Sequence, residues 1–268
     1  MSEILGLGLI QNALLAGMLA SILCGVIGTV VVAKRLVFIS GGVSHAAFGG
    51  LGIAYWAGWD PRLGAAVAAV AAALLLGRET RARPHDAAIG ILWAVGMAIG
   101  IVFIHRTPGY APDLTTYLFG NILTVSRGDL MLTTLVAAIV LLTLVLLRKE
   151  IVAVAFDDAF ATVQGVGVRW VSALLMVLIA LSVVVLIQVV GIILVIALLT
   201  IPAVISRILV VGFDALVIVA TVVGLVISLG GLAVSYQLDL PSGPTIVLLG
   251  AFLLACVEIG RRIVVNRR

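Results

Sequence analysis

Residues 34–58 read KRLVFISGGVSHAAFGGLGIAYWAG. Two cations stand at the front, and positions 38–57 behind them hold no Lys, Arg, Asp or Glu. A backbone crossing lipid must satisfy its own amides, so an apolar run of about twenty residues reads as one membrane-spanning helix. A single imidazole, His45, lies within this run. Ionisable groups at membrane depth are costly and by default mark a pathway or a site. Helical residues three and four apart share a face, which puts Gly41, His45, Gly49 and Gly52 in one stripe with Ser44 beside it. Two readings of the stripe stand side by side. It is a small-residue packing seam with the histidine bonded to a neighbouring carbonyl, or it lines an opening in which His45 is a metal ligand. Imidazole alone leaves the ion open among zinc, manganese and iron.

The rest of the chain repeats the pattern. Of 268 residues, 63% are hydrophobic and 10% charged, and the mean hydropathy is +1.35, far from a soluble core inside a polar shell. Runs with few or no charges fall at 9–33, 38–57, 63–77, 87–104, 130–147, 171–190, 192–206, 215–235 and 244–257. This predicts an all-α, polytopic bundle of eight or nine spans that fills residues 1–268 as a single domain. Only Gly191 separates 171–190 from 192–206, so the pair is a tight reversal or one long broken helix. Residues 114–125 are a candidate re-entrant piece. The first run is read as a span rather than a cleaved leader, because it is long and lacks a basic region before it. Cys24 and Cys256 sit inside apolar runs and are read as small hydrophobes.

Charge orients the bundle. Positively charged loops stay on the cytoplasmic side. With Arg148 and Lys149 inside and the spans alternating, Lys34, Arg35, Arg78, Arg81, Arg83, Arg169, Arg207, Arg261, Arg262, Arg267 and Arg268 are inside too, 13 of the 16 basic residues. Arg62, Arg106 and Arg127 are left outside. The C-terminus is then cytoplasmic, and nine spans put the N-terminus outside whereas eight bring it in. The +4 net charge follows from this bias and calls for no nucleic-acid partner.

Two loops exceed turns. The inner one, 148–169, reads RKEIVAVAFDDAFATVQGVGVR, and its amphipathic pattern makes it a docking candidate. Asp157 and Asp158 suit the N-terminus of a short helix, which Gly165 can end. An ordinary surface-lying loop is the other reading, against which the acids argue. The outer loop, 105–129, carries Pro108, Pro112 and Asp113; Asp113 and Asp239 are read as turn residues, with partner docking or ion entry as the alternative. Pro202 either simply kinks its helix or marks a moving gate element. His85 and His105 lie in a basic loop and at a membrane boundary. No G-x-x-x-x-G-K-[ST] loop and no H-E-x-x-H is present. The chain therefore does not hydrolyse ATP through a P-loop, and one intramembrane histidine cannot build a hydrolytic zinc centre.

Six blocks resemble the zinc/manganese-uptake ABC permease family, in order and at matching spacing across nearly the whole chain. They are 34–58, HDAAIGILWAVGMAIGIVF (85–103), TTYLFGNILTVSRGDL (115–130), FDDAFATVQGV (156–166), VVGIILVIALLTIPAVISR (189–207) and SYQLDLPSGPTIVLLG (235–250). The resemblance implies an importer permease of the cobalamin/metal-chelate type in the cell membrane. It implies a homodimer, cytoplasmic ABC ATPase subunits that bind and hydrolyse ATP, an extracytoplasmic metal-binding protein, and alternating access for a divalent ion, zinc or manganese and by extension iron. No covalent cofactor is implied. His45, with Ser44, becomes the metal-ligand candidate, and 148–170 the ATPase-coupling loop with Asp157, Asp158 and the A-x-x-x-G pair Ala161 and Gly165. The family usually has an aspartate four residues before this histidine, where the present chain has Gly41. The rival class is a gradient-driven carrier or channel, which usually keeps carboxylates at mid-membrane. A siderophore or cobalamin importer needs more helices than this length allows.

Overall fold

The computed structural model describes residues 8–79, 86–108, 118, 120 and 122–266. Its helices are α1 (Gly8–Ala33), α2 (Val37–Trp56), α3 (Pro61–Glu79), α4 (Asp86–Arg106), α5 (Arg127–Leu146), α6 (Arg148–Phe156), α7 (Asp158–Val163), α8 (Val168–Val190), α9 (Ile192–Leu209), α10 (Phe213–Leu238) and α11 (Ser242–Asn266). A 3-10 turn, Ile122–Thr124, precedes α5, and no strand occurs among the described residues. Every apolar run of the sequence is a helix. Eight are long and apolar enough to cross a membrane, and α3 contributes the shorter apolar stretch Pro61–Gly77. At 1.5 Å per residue such a stretch reaches roughly 25 Å, a little short of the ~30 Å hydrocarbon core. Arg62 and Arg78 stand at its two ends.

Side-chain contacts sort the helix ends into two poles. At one, Lys34 after α1 bonds Val154 of α6 and Asp158 of α7, Arg207 near the end of α9 bonds the Val32 carbonyl, and Arg148 pairs with Asp214 at the start of α10. At the other, Asn12 of α1 bonds the Val125 carbonyl, and Arg62 at the start of α3 bonds Asp129 at 2.7 Å. Asp129 also closes a capping box with Ser126 at the start of α5, so one carboxylate starts a helix and ties it to a neighbour.

The segment around Gly191 is a reversal. The start of α8 packs with Val30 through Val168, and the end of α9 reaches Val32 through Arg207, so both outer ends lie at the Lys34 pole. Gly191 has φ 82° and ψ 162°, a region that glycine enters without the Cβ penalty. One residue therefore turns the chain between two antiparallel spans. Within the spans, buried hydroxyls return their protons to their own helices, as Ser21 does to Gly17, Thr29 to Gly25 and Ser182 to Leu178. None of these three hydroxyls needs a partner from another helix.

Helices α1 and α8 form the centre, with 78% and 72% of their spanning windows buried, against 22% for α4, α5 and α11. Pro202 is buried inside a continuous α9. Of the candidate re-entrant piece, Leu118, Gly120 and Ile122–Val125 are described and include the 3-10 turn; its other residues, with Asp113 and His85, lie outside the described residues.

Candidate functional site

Helix α2 meets α4 along the glycine stripe. A Cβ on Gly49 would stand 2.9 Å from the Gly96 carbonyl oxygen, and one on Gly52 would stand 2.6 Å from that of Gly100. A Cβ on Gly96 would come within 2.5 Å of the His45 carbonyl oxygen. Small residues here let two backbones touch, which is the main source of association between helices in lipid. Within one chain the stripe is thus a packing seam rather than an opening.

His45 sits on this seam. Its ring is half-buried and stacks on the indole of Trp93 from α4, with centroids 5.3 Å apart and planes inclined by 25°. Trp93 also meets Phe38, with centroids 6.5 Å apart. Gly41 lies beneath the indole, and a Cβ there would be 2.5 Å from Trp93 Cζ2. The histidine lacks the carbonyl partner that a plain packing seam would give it. Both His45 Nδ1 and Trp93 Nε1 are enclosed and without a partner, at a cost of roughly 1–3 kcal/mol for each unsatisfied group. Ser44 does not join the imidazole. It is fully buried and its hydroxyl donates to Ser40 O at 2.9 Å, and adjacent helical residues face different sides.

A small cavity lies on another side of α2, lined by Ala47, Phe48, Leu51, Ala65, Val184, Ile187 and Gln188, and it does not include His45. The imidazole is half-buried, one heptad after the exposed Phe38 of α2. Among the described residues no group of three or more His, Cys, Asp or Glu converges to hold a metal ion. One chain alone offers one imidazole.

The second candidate region is the 148–170 loop, which folds as α6 and α7. Asp157 is the N-cap of α7, accepting from Ala159 N at 2.8 Å and Phe160 N at 3.0 Å. Gly165, at φ 80°, closes the other end: its N–H donates to Thr162 O while Val166 N–H donates to Ala161 O. That pair of bonds is a Schellman cap, for which glycine is the usual residue. Ala161 is fully buried against Val30, Ile151, Val154, Val168, Val171, Leu175 and Phe213. The A-x-x-x-G spacing thereby anchors and ends the helix, and the exposed residues beside it mix three large apolar side chains, Phe156, Phe160 and Val163, with the polar Asp157, Asp158, Thr162 and Gln164.

Three contributors carry no mark in the sequence that singles them out. Trp93 has neither charge nor motif. Lys34 reads there only as a topological cation, yet its ammonium, 11% exposed, bonds Val154 O at 2.8 Å and Asp158 Oδ1 at 3.0 Å and joins α6 and α7 to α1. Arg148 forks onto Asp214, with its Nε 2.9 Å from Oδ1. At the opposite pole Asp239 is a turn residue, in the left-handed region at φ 53° as C-cap of α10, and Ser235 bonds the Leu240 carbonyl beside it.

A helical bundle of antiparallel spans, with a capped pair of short helices folded at one pole, is the architecture of a polytopic membrane permease. The chain belongs to the ABC 3 transport family, whose model matches residues 7–259. It is 35% identical over 256 residues to the manganese transport system membrane protein MntC of Halalkalibacterium halodurans, covering 94% of this chain and 87% of that one. The structure of PsaBC from Streptococcus pneumoniae in complex with Fab matches with a TM-score of 0.84 and 29% identity, over 93% of this chain and 91% of that one. An inward-facing conformation of a metal-chelate type ABC transporter shares the fold, with a TM-score of 0.71 at 20% identity over 93% of this chain and 85% of that one. The family resemblance read in the six sequence blocks and the polytopic all-α fold both hold. The chain is a multi-pass membrane permease of the metal-ion ABC transporter family.

Proposed function

We propose that this chain is the membrane half of an ABC importer for a divalent transition-metal ion, zinc or manganese, and that His45 is the group that hands the ion across. The carrying observation is the unpaired, enclosed Nδ1 of a lone imidazole within a span. A buried polar atom without a partner calls for a functional account, and neutral imidazole is the commonest metal ligand. Since one chain supplies a single imidazole, the reading needs a second copy that brings two His45 rings to a common axis and closes the path. One imidazole from each protomer, supplemented by water and backbone oxygen, holds the ion weakly enough to release it.

The energy source in this reading is a pair of ATPase subunits seated on α6 and α7. Phe156, Phe160 and Val163 form an exposed apolar knob of the kind a partner groove accepts, and ATP binding and hydrolysis there drive alternating access. The Lys34 pole, with nine of the described basic residues against three at the other, then faces the cytoplasm and carries the C-terminal end. A metal-binding protein delivers from the opposite pole. The gradient-driven alternative is less favoured, because the described carboxylates stand at helix ends, in loops or in short helices, apart from Glu258 in the second half of the Ser242–Ile263 span.

Reconstituted with its ATPase and binding protein, the His45→Ala variant is expected to lose at least ~10-fold of its metal uptake while still hydrolysing ATP. Uptake unchanged at limiting metal removes His45 from the path.

A further inference from the structure

The indole of Trp93 occupies the space beside His45 in which a second ligand from the same helix would stand. Gly41 is one helical turn before His45, and a Cβ at that position would lie 2.5 Å from Cζ2 and 3.1 Å from Cε2 of the indole. A side chain at position 41 therefore requires the Trp93 ring to shift. The ring contacts two further rings of α2, Phe38 at 6.5 Å and the His45 imidazole at 5.3 Å. Ser44, the nearest hydroxyl in sequence, is committed to Ser40 O. No carboxylate belongs to this seam: the acids of α4 and of the loop before α3 are Asp86 and Asp60, at the ends of their helices. What its side chains present to a cation here is imidazole nitrogen and aromatic surface.

Donor chemistry then discriminates between ions. Imidazole suits zinc, copper, nickel and iron, whereas manganese is best served by carboxylate, carbonyl and water oxygens; among divalent ions a nitrogen site binds manganese most weakly and zinc far better. We infer that Trp93 is a specificity-determining residue which keeps side-chain oxygen ligands away from His45, so that the permease passes zinc-class ions in preference to manganese. This rests on the proposed role of His45 and goes beyond it, since that role holds for either metal.

The test uses the complete transporter in proteoliposomes, with saturating binding protein so that delivery does not limit, and compares maximal ATP-dependent uptake of Zn²⁺ and Mn²⁺. The unaltered chain is expected to favour Zn²⁺ by ~10-fold or more. Gly41→Asp alone is expected to lower uptake of both ions, because the indole excludes the new side chain. Combining it with Trp93→Ala is expected to restore uptake and narrow the Zn²⁺ to Mn²⁺ ratio at least ~3-fold. Trp93→Phe, which keeps a stacking ring, should retain the original preference. Co²⁺ titrated into the detergent-solubilised full chain gives a second readout: its visible absorption should indicate nitrogen ligation in the unaltered protein and shift toward oxygen ligation in the double variant. Thermal unfolding checks that each variant is folded. Equal or better Mn²⁺ transport by a chain whose His45→Ala variant is inactive overturns the inference and leaves the His45 reading intact. Full activity of Gly41→Asp with Trp93 in place also overturns it. An active His45→Ala variant sinks the underlying reading instead.

Discussion

Gly96 owes its place to the atom it lacks. Its missing Cβ would stand 2.5 Å from the His45 carbonyl oxygen and 2.7 Å from the carbonyl carbon, so the distance between α2 and α4, and with it the Trp93–His45 stack, is set by a hydrogen atom. Gly90 on the same helix has open space where its Cβ would be. The two positions should answer opposite ways to one substitution. Gly96→Ala forces two backbones apart and is expected to cost about 1–3 kcal/mol as overpacking, lowering the unfolding midpoint in detergent by several degrees. Gly90→Ala removes only backbone freedom, which is worth about 0.4–1 kcal/mol to the folded state, and is expected to raise the midpoint slightly. A shared sign for both variants argues against the seam described.

At the scale of elements the junction of α6 and α7 rests on one ammonium. Lys34 donates to the Val154 carbonyl near the C-terminus of α6 and to Asp158 in the first turn of α7, so a cation serves a helix C-terminus and a carboxylate serves a helix N-terminus, as both dipoles favour. The two bonds are unequal. The carbonyl is held by a nearly enclosed ammonium, while Asp158 is 54% exposed, and solvent reduces such a pair to at most about 1 kcal/mol. Lys34→Met, which keeps the apolar stem and deletes both bonds, is therefore expected to loosen α6 and α7 from α1 and, with ATPase subunits seated there as proposed, to raise the ATP consumed per ion transported several-fold. Asp158→Asn should change that ratio by less than ~2-fold. Parallel assays of hydrolysis and uptake decide it, and an Asp158→Asn effect equal to that of Lys34→Met would mean that the ion pair, not the carbonyl bond, carries the coupling. Asp157 is a separate matter: as an N-cap its replacement by Ala costs about 1 kcal/mol, in a helix of only six residues.

For the whole molecule, the nine apolar runs were legible as nine helices because lipid leaves the backbone no other way to pair its amides. The Gly191 ambiguity was not, since a single glycine permits either continuation or reversal, and the contacts of Val168 and Arg207 at the far ends decide it. His45 and its glycine stripe could be seen along one helix; Trp93 could not, because its seat on Gly41 depends on how α2 and α4 pack. Lys34 lies 124 positions from Asp158, and Asp129 gave no sign that it would meet Arg62. Alternation of the spans assigns every loop to one side of the membrane, and that sidedness can be measured one site at a time. Val163 on α7 and Val211 between α9 and α10 are 88% and 98% exposed, and Trp59 between α2 and α3 is 71% exposed. Of the native thiols, Cys24 is buried and Cys256 exposed, so a Cys256→Ser background is quiet. In that background Trp59→Cys is expected to react with a membrane-impermeant maleimide on intact cells, whereas Val163→Cys and Val211→Cys should react only in inverted vesicles. Because α3 separates Trp59 from the rest of the chain by one crossing, a Trp59→Cys labelled from the same side as Val163→Cys would mean that α3 does not cross, and the N-terminus would change sides with it.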